Sequence, residues 1–272
     1  SGVNNLNQFI QAEKITKDIN PTYGSIQKLF SRNTDLIAFC EDRVIRIAAN
    51  KDAIFNADGN PQLIASNRVL GQSLPFSGDY GISKNPESFV SDNYRAYFTD
   101  KQRSAVLRLS KDGITPISDY GMSDWFGDNL NKYPKIVGSF DADKGNYNIT
   151  LREAHVLTGH NPTTLTYNEN VKGWVSFKSF TPEQGTSMNN NYYTFNDGYI
   201  FLHHDESVDR NTFYGDSPKN FTPSSIDVLL NAQPGSVKNY QTLNYEGSKS
   251  KITIETVPAG ICLLYTSPSP RD

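Results

Sequence analysis

Five times along the chain, two runs of strand-forming residues flank a short polar turn, and this recurrence limits the fold more than any other feature. In "LIAFCEDRVIRIAA" the arms meet at Glu41-Asp42; Ile45 and Ile47 share one face, Val44 and Arg46 the other. "RAYFTDKQRSAVLRLSKDG" sends Ala105, Leu107 and Leu109 one way and Val106, Arg108 and Ser110 the other. "KIVGSFDADKGNYNITLRE" turns at Asp143-Lys144-Gly145-Asn146, "TTLTYNENVKGWVSFKSF" turns near 170, and "NYYTFNDGYIFLHH" turns at Asn196-Asp197-Gly198. Asx-Gly between apolar arms is a strong local hairpin signal, because both turn residues accept positive φ at low cost. "SSIDVLLNAQ", "SVKNYQTLNYEG" and "KITIETV" add further strands.

Helix is scarce. Leu6, Phe9 and Ile10 in "NLNQFIQAEKITKDI" have helical spacing, and Pro21 ends that run. A second short helix is expected at "SDWFGDNL", with Ser123 as N-cap and Trp125, Phe126 and Leu130 on its apolar side. "NADGNPQ" and "LPFSGDYGISKNPESF" read as loops.

Hairpins with one apolar face each must bury those faces against one another, which a sandwich or a propeller achieves. The turn tips near 42, 102, 143, 170 and 197 are unevenly spaced, so a strict solenoid repeat is excluded. Propeller blades tolerate insertions, and no Cys or Trp sandwich pattern is present. The expected fold is mainly β: a divergent β-propeller-like domain of successive antiparallel hairpins over 20–261. A helical segment at 1–19 precedes it.

Residues 262–272, "CLLYTSPSPRD", are expected to be a non-native tail. Two Ser-Pro steps suit neither helix nor central strand. Written back into codons, the eleven residues resemble a transposase adapter used in sequencing libraries. On this reading the native chain continues past Gly260 or Ile261, and the start "SGVNN" is likewise internal.

Function is bounded mostly by exclusion. A net charge of −3 without a basic stripe argues against phosphate-neutralising nucleic-acid binding. No apolar run reaches the roughly 20 residues of a membrane helix. With Cys262 in the tail, Cys40 is the one remaining cysteine, and its place in "LIAFCEDRVIRI" suits a small buried hydrophobe.

His155, His160, His203 and His204, with Glu153, Asp205 and Glu206, would form a metal site only if two distant segments met. The first two are five residues apart, where one helical face needs four. The adjacent pair points to opposite faces of a strand, so these read as solvated strand-end histidines. "DADKGNYNITLRE" opens like a calcium loop with Asp141, Asp143 and Gly145, but Asn146 occupies the sharp-turn position and Arg152 the bidentate carboxylate position. It reads as a polar hairpin turn, and the other tip carboxylates serve turn geometry in the same way. Tyr192, Tyr193, Phe195, Tyr199 and Phe201 could line a sugar-binding surface, though cross-strand aromatics more often pack a sheet. No nucleophile elbow, P-loop or dinucleotide fingerprint is present. No catalytic, cofactor-binding or metal residue is therefore assigned, and no cofactor is expected.

Four stretches resemble virion proteins of crAss-like tailed bacteriophages, in particular a tail-associated structural protein. They are "NPTYGSIQKLFSRNTDLIAFCEDRVIRIAANKDAIFNADGN", "YRAYFTDKQRSAVLRLSKDGITPISDYGMSDWF", "VKGWVSFKSFTPEQGTSMNNNYYTF" and "RNTFYGDSPKNFTPSSIDVLLNAQPGSVKNYQTLNYEGS". Their order along roughly residues 20 to 250 carries the resemblance. It implies a propeller-like module of a tail or tail-muzzle component, with a structural and non-enzymatic role. The implied location is the virion tail, after assembly in the bacterial cytoplasm. The implied partners are other tail proteins and identical copies in a ring. The alternative is a carbohydrate-binding or carbohydrate-cleaving propeller that contacts host-surface glycan.

Overall fold

A computed structural model describes residues 17–32, 35–55, 61–152, 161–214, 221–229, 235–237, 239, 250–257 and 261–268. The chain divides into two compact units, Ser1–His204 and Asp205–Asp272. The helix expected around Leu6, Phe9 and Ile10 lies outside the described residues, as does most of "SVKNYQTLNYEG".

The first unit contains four antiparallel sheets, each a meander of strands consecutive in sequence. The first holds β1 (Ile26–Arg32), β2 (Asp35–Cys40), β3 (Val44–Phe55) and β4 (Pro61–Pro75). The second holds β5 (Val90–Asp92), β6 (Arg95–Asp100), β7 (Ala105–Ser110) and β8 (Gly113–Pro116). The third holds β9 (Lys135–Asp141), β10 (Asn146–Arg152), β11 (Thr163–Asn168) and β12 (Gly173–Lys178). The fourth holds β13 (Gln184–Met188), β14 (Asn191–Asn196) and β15 (Tyr199–Leu202). The mainly β class is as expected from the hairpin pattern, and all five hairpins form. At the fifth tip Asp197 (φ 50°) and Gly198 (φ 79°) take the positive angles that a tight hairpin turn demands.

Five strands of the first unit had no clear sequence signal: β1, β4, β5, β8 and β13. Each lies at the edge of its sheet, where only one neighbour constrains it. β1 carries a bulge at Gln27 that breaks its alternation, and β5 is only three residues long.

The hairpins do not each hide a single face. The second sheet is apolar on both sides. Ala96, Phe98, Ala105, Leu107 and Leu109 pack with Ile37, Phe39 and Val44 of the first sheet. Tyr97 and Val106 pack with Phe140, Tyr147, Ile149, Leu151, Leu165 and Tyr167 of the third. Phe39 meets Phe98 edge-on at 5.0 Å, and Tyr97 stacks on Tyr147 at 4.6 Å. Burying one such large side chain contributes roughly 1.5–3 kcal/mol.

A connection between the second and third sheets carries α1 (Ser123–Asn129). Phe126 and Leu130 are buried and Trp125 is half-buried, as the apolar side of the helix predicts. The expected N-cap is displaced by one residue. Met122 is the cap, no side chain caps the first turn, and Ser123 is already helical. In β12 a bulge at Val175 lets Trp174 pair with Tyr167 and Phe177 pair with Leu165, so two aromatics three residues apart share one face. Both close on the helix, Trp174 against Phe126 (4.8 Å) and Phe177 against Trp125 (5.4 Å).

Cys40 is fully buried at the end of β2, packed with Ala38, Ile45 and Ile47. Burial, and secondly the Glu41 charge, push its thiol above the ordinary range. We expect thiol reagents to label native protein far more slowly than unfolded protein. Cys40→Ser should cost about 1–3 kcal/mol in a denaturant titration, because a hydroxyl enters an apolar site.

In the second unit, β16 (Ile226–Leu229), β17 (Ser250–Val257) and β18 (Ile261–Pro268) form an antiparallel sheet with β18 in the centre. Residues 262–268, part of the run expected to be a non-native tail, lie in this central strand, where the Ser-Pro steps had argued against one. Leu264 pairs with both Val228 and Ile254, so the run preceding the prolines has strand chemistry and two partners. Pro268 ends the strand opposite Ser250.

Candidate functional site: inter-sheet joints and contact surfaces

The polar residues with the most specific geometry sit where one sheet meets the next. Three glycines mark these joints, each where an added Cβ would strike a neighbouring segment. At Gly81 it would lie 2.0 Å from the Glu41 carbonyl oxygen, at Gly138 2.1 Å from the Ser88 carbonyl oxygen, and at Gly185 2.7 Å from the Ser139 Cβ. None of the three has a positive φ, so space rather than backbone angle requires glycine.

The first joint is tied by Asp100, fully buried at the end of β6. Its Oδ2 accepts from the Gly81 amide (3.0 Å) and Arg103 Nη1 (2.9 Å). Its Oδ1 accepts from Ser83 Oγ (2.9 Å) and the Arg103 amide (3.2 Å). The Ser83 hydroxyl in turn accepts from the Gln102 amide, and Arg103 reaches Asp42 at 3.5 Å. Elsewhere on the joint, Arg32 donates to the carbonyls of Ser110 and Tyr94.

The second joint is tied by Glu169, from the turn between β11 and β12, whose side chain is 11% exposed. Its Oε1 accepts from the Tyr97 hydroxyl (2.6 Å), and its Oε2 accepts from Arg108 Nη1 (2.9 Å) with Arg95 at 3.9 Å. Burial first, then the Glu169 hydrogen bond and charge, hold the Tyr97 hydroxyl far above its ordinary range. Tyr167 beside it is pushed up to about 12, mainly by burial. Trp174 Nε1 donates to the Ile117 carbonyl (2.9 Å), and Lys101 donates to that of Tyr133 (2.8 Å).

The third joint is polar on its inner face. Ser139, Asn148, Thr150, Thr164 and Thr166 of the third sheet are all buried. They are satisfied internally: Thr150 with Thr164 (2.9 Å), Thr164 to the Phe180 carbonyl (2.6 Å), Thr166 to Asn148 (2.7 Å) and Ser139 with the Tyr192 hydroxyl (2.7 Å). Ser187 donates to the Phe140 carbonyl and accepts from the Ala142 amide.

His203 and His204 both reach this interface just past the end of a strand; His204 is solvent-exposed as expected, and half-buried His203 corrects the solvated reading for its own ring. β15 stops at Leu202, and His204 has φ 63°. That left-handed turn ends strand alternation, so both rings face the same joint, with centroids 6.2 Å apart. His204 Nε2 lies 2.7 Å from Asp141 Oδ2, while His203 sits against Phe180 (4.7 Å) and Tyr192 (4.9 Å) with Nε2 2.7 Å from Thr194 Oγ1. Burial and then the His204 charge push His203 down to about 4, against the pull of Asp141. Glu153, His155 and His160 lie outside the described residues, and Asp205 accepts from the Ser207 amide and hydroxyl. Among the described residues no group of His, Cys, Asp and Glu is placed to hold a metal ion. Asp141 Oδ1 accepts from the amides of Asp143 and Lys144, and Gly145 has φ 64°, so the calcium-like stretch is a hairpin turn.

Two surfaces remain. A cavity of about 460 Å³ is lined by Tyr80, Arg103, Ser104, Ser118, Asp119 and Ser123 among others. The other is the outer face of the fourth sheet. The expected aromatics divide there. Tyr192 is buried against the third sheet, while the register places Tyr193 and Phe195 on the opposite face with Met188, Ile200 and Leu202. Met188 and Ile200 are each 65% exposed, and Tyr199 on the edge strand is 70% exposed. Sequence reasoning missed Asp100, Glu169 and the three joint glycines. The tips at 102 and 170 looked like solvent turns, since the partners they hold are more than sixty residues away for Glu169 and about nineteen for Asp100.

Among the described residues no helix is long and apolar enough to cross a membrane. No curated protein matches the chain. The family model described as Crassvirus muzzle protein matches residues 14–198, a span that holds the first three sheets and the fourth as far as the turn before β15. The chain belongs to the crassvirus muzzle protein family.

Proposed function

We propose that this chain is a rigid, non-enzymatic contact platform within the tail muzzle, and that its four meanders are successive blades of a propeller-like module. Family membership makes it a structural protein of a phage virion, located in the tail. The observation that carries the platform reading is the division of labour among its polar groups. The most buried carboxylates, Asp100, Asp141 and Glu169, are engaged in holding sheet to sheet or in turns. Rigid joints of this kind leave the loops and the apolar outer face of the fourth sheet as the contact surface. The propeller reading is supported by the meander topology and by β9 approaching both β5 and β13, as first strands of neighbouring blades would. The partners are other tail proteins and identical copies in a ring, since closed symmetry satisfies repeated subunits.

Quantitative mass spectrometry of purified virions tests this reading. The parent polypeptide should be present in fixed stoichiometry with known tail proteins. Its absence from particles while abundant in infected-cell lysate would overturn the structural role. Cleavage of capsular polysaccharide by the purified protein would establish the enzymatic alternative instead.

A further inference from the structure

We propose that the open edge of β15 accepts a fourth strand, supplied by a neighbouring tail polypeptide; the inference rests on the platform reading above. The first three sheets have four strands each, and the fourth has three. β15 pairs with β14 alone. Its register fixes which backbone groups that pairing uses. The His203 amide donates to the Tyr192 carbonyl (2.9 Å), and bonded pairs alternate along an antiparallel ladder. Tyr199 and Phe201 therefore turn their amides and carbonyls to β14, while those of Ile200 and Leu202 point out of the sheet. Among the described residues no strand pairs with that outer edge.

An open edge is ordinarily protected by charge, proline or a bulge. The last strands of the first three sheets follow that rule: β4 ends in Pro75, β8 ends in Pro116, and β12 carries a bulge and ends in Lys178. β15 reads Tyr-Ile-Phe-Leu in unbroken register, without charge or proline. Ile200 and Leu202 are exposed beside Phe195 and Tyr193, so the edge is apolar as well as unpaired. The segment that follows does not fill it. In the other sheets the fourth strand begins after a connection of two to five residues; here the described residues 203–214 hold no strand, and β16 pairs with β18. Two copies joined β15 to β15 would be related by a two-fold axis, and neighbours in a ring of like-oriented copies are not. The occupant is therefore a different segment: a short extended run rich in β-branched or aromatic residues, with no proline at its bonding positions.

Amide hydrogen exchange on the full chain, alone and within purified virions, tests this. In the isolated chain the Phe201 and His203 amides should be protected and those of Ile200 and Leu202 should not. In virions exchange at Ile200 and Leu202 should slow by roughly tenfold or more. Ile200→Pro removes only an outward N–H, so the isolated variant should keep the protection of Phe201 and His203. In particles its Leu202 amide should exchange as fast as in isolation. If the variant does not fold or does not enter particles, the pattern in the unaltered protein decides the matter. Equal exchange at Ile200 and Leu202 in the two states would overturn the proposal. So would protection of both in the isolated monomer, which would place the strand in the same chain. Protection that accompanies dimerisation of the isolated chain would also overturn it, because the occupant would be a second copy's β15. Absence of the parent polypeptide from virions would overturn this and the platform reading together, whereas its presence with unchanged exchange would overturn this one alone.

Discussion

Gly138→Ala is expected to cost about 3 kcal/mol or more, and Gly138→Val to abolish cooperative folding of the first unit. The new Cβ would sit 2.1 Å from the Ser88 carbonyl oxygen, where ordinary contact begins beyond 3.4 Å. Neither partner can yield cheaply. Gly138 lies in β9, paired with Ile149, and Ser88 closes a short 3-10 turn whose hydroxyl accepts from the Thr99 amide. Backbone is therefore pressed against backbone, and the second and third sheets must separate to make room. Separation would open the stack of Tyr97 on Tyr147 and loosen the grip of Glu169. Gly127 is the control. Nothing lies within 4 Å of a Cβ there, its residue sits in α1, and its φ is not positive. Gly127→Ala should stabilise by about 0.5–1 kcal/mol. Urea titrations of both variants would check the pair. A Gly138→Ala protein as stable as its parent would show that the sheets approach less closely than described.

Asp100→Ala should be nearly as damaging, at about 3–5 kcal/mol. The carboxylate, itself fully buried, accepts four hydrogen bonds from three residues, those of Gly81 and Ser83 in the buried interior. Its removal strands the Gly81 amide and leaves Arg103 with only the longer contact to Asp42. Stranded buried donors cost more than the bonds contributed, because they lose water without compensation. Asp100→Asn should fall between the two. An amide retains one oxygen acceptor but turns an NH₂ towards the remaining donors. Arg103→Ala should cost less than Asp100→Ala, since Arg103 is largely exposed and the carboxylate keeps its Gly81 and Ser83 donors. The ordering Ala at 100, Asn at 100, Ala at 103 is the measurable signature of a clamp centred on the carboxylate. Equal effects of all three would point to general loosening instead.

Both residues were visible in the sequence, but their roles were not. Gly138 reads as a residue of the strand "KIVGSF", and Gly81 closes what reads as the loop "SGDYG". A glycine that admits a distant carbonyl looks the same as one that eases a local turn. Asp100 and Glu169 flank hairpin tips, where a carboxylate ordinarily serves the turn. Here Glu169 reaches across to the second sheet, and Asp100 holds the segment at Gly81 and Ser83 that connects the first sheet to the second.

The sequence by itself determined the hairpins, because strand pairing between neighbours depends on alternation and turn chemistry within some twenty residues. It also determined the two faces of β7, the burial of Cys40 and the apolar side of α1. Tertiary structure decided which faces are dry. The Thr and Asn positions of "YNITLR" and "TTLTYN" alternate with apolar residues and suggest a solvated side. The fourth sheet covers that side, and the hydroxyls stay buried because they satisfy one another across β10 and β11. Tertiary structure also decided the histidine pair. Alternation sends adjacent residues to opposite faces, but the left-handed angle at His204 turns both rings onto one joint. Pairing along a meander is local chemistry and can be read from the chain. Stacking of one sheet on the next brings together residues far apart in sequence, and no local pattern records which of them will meet.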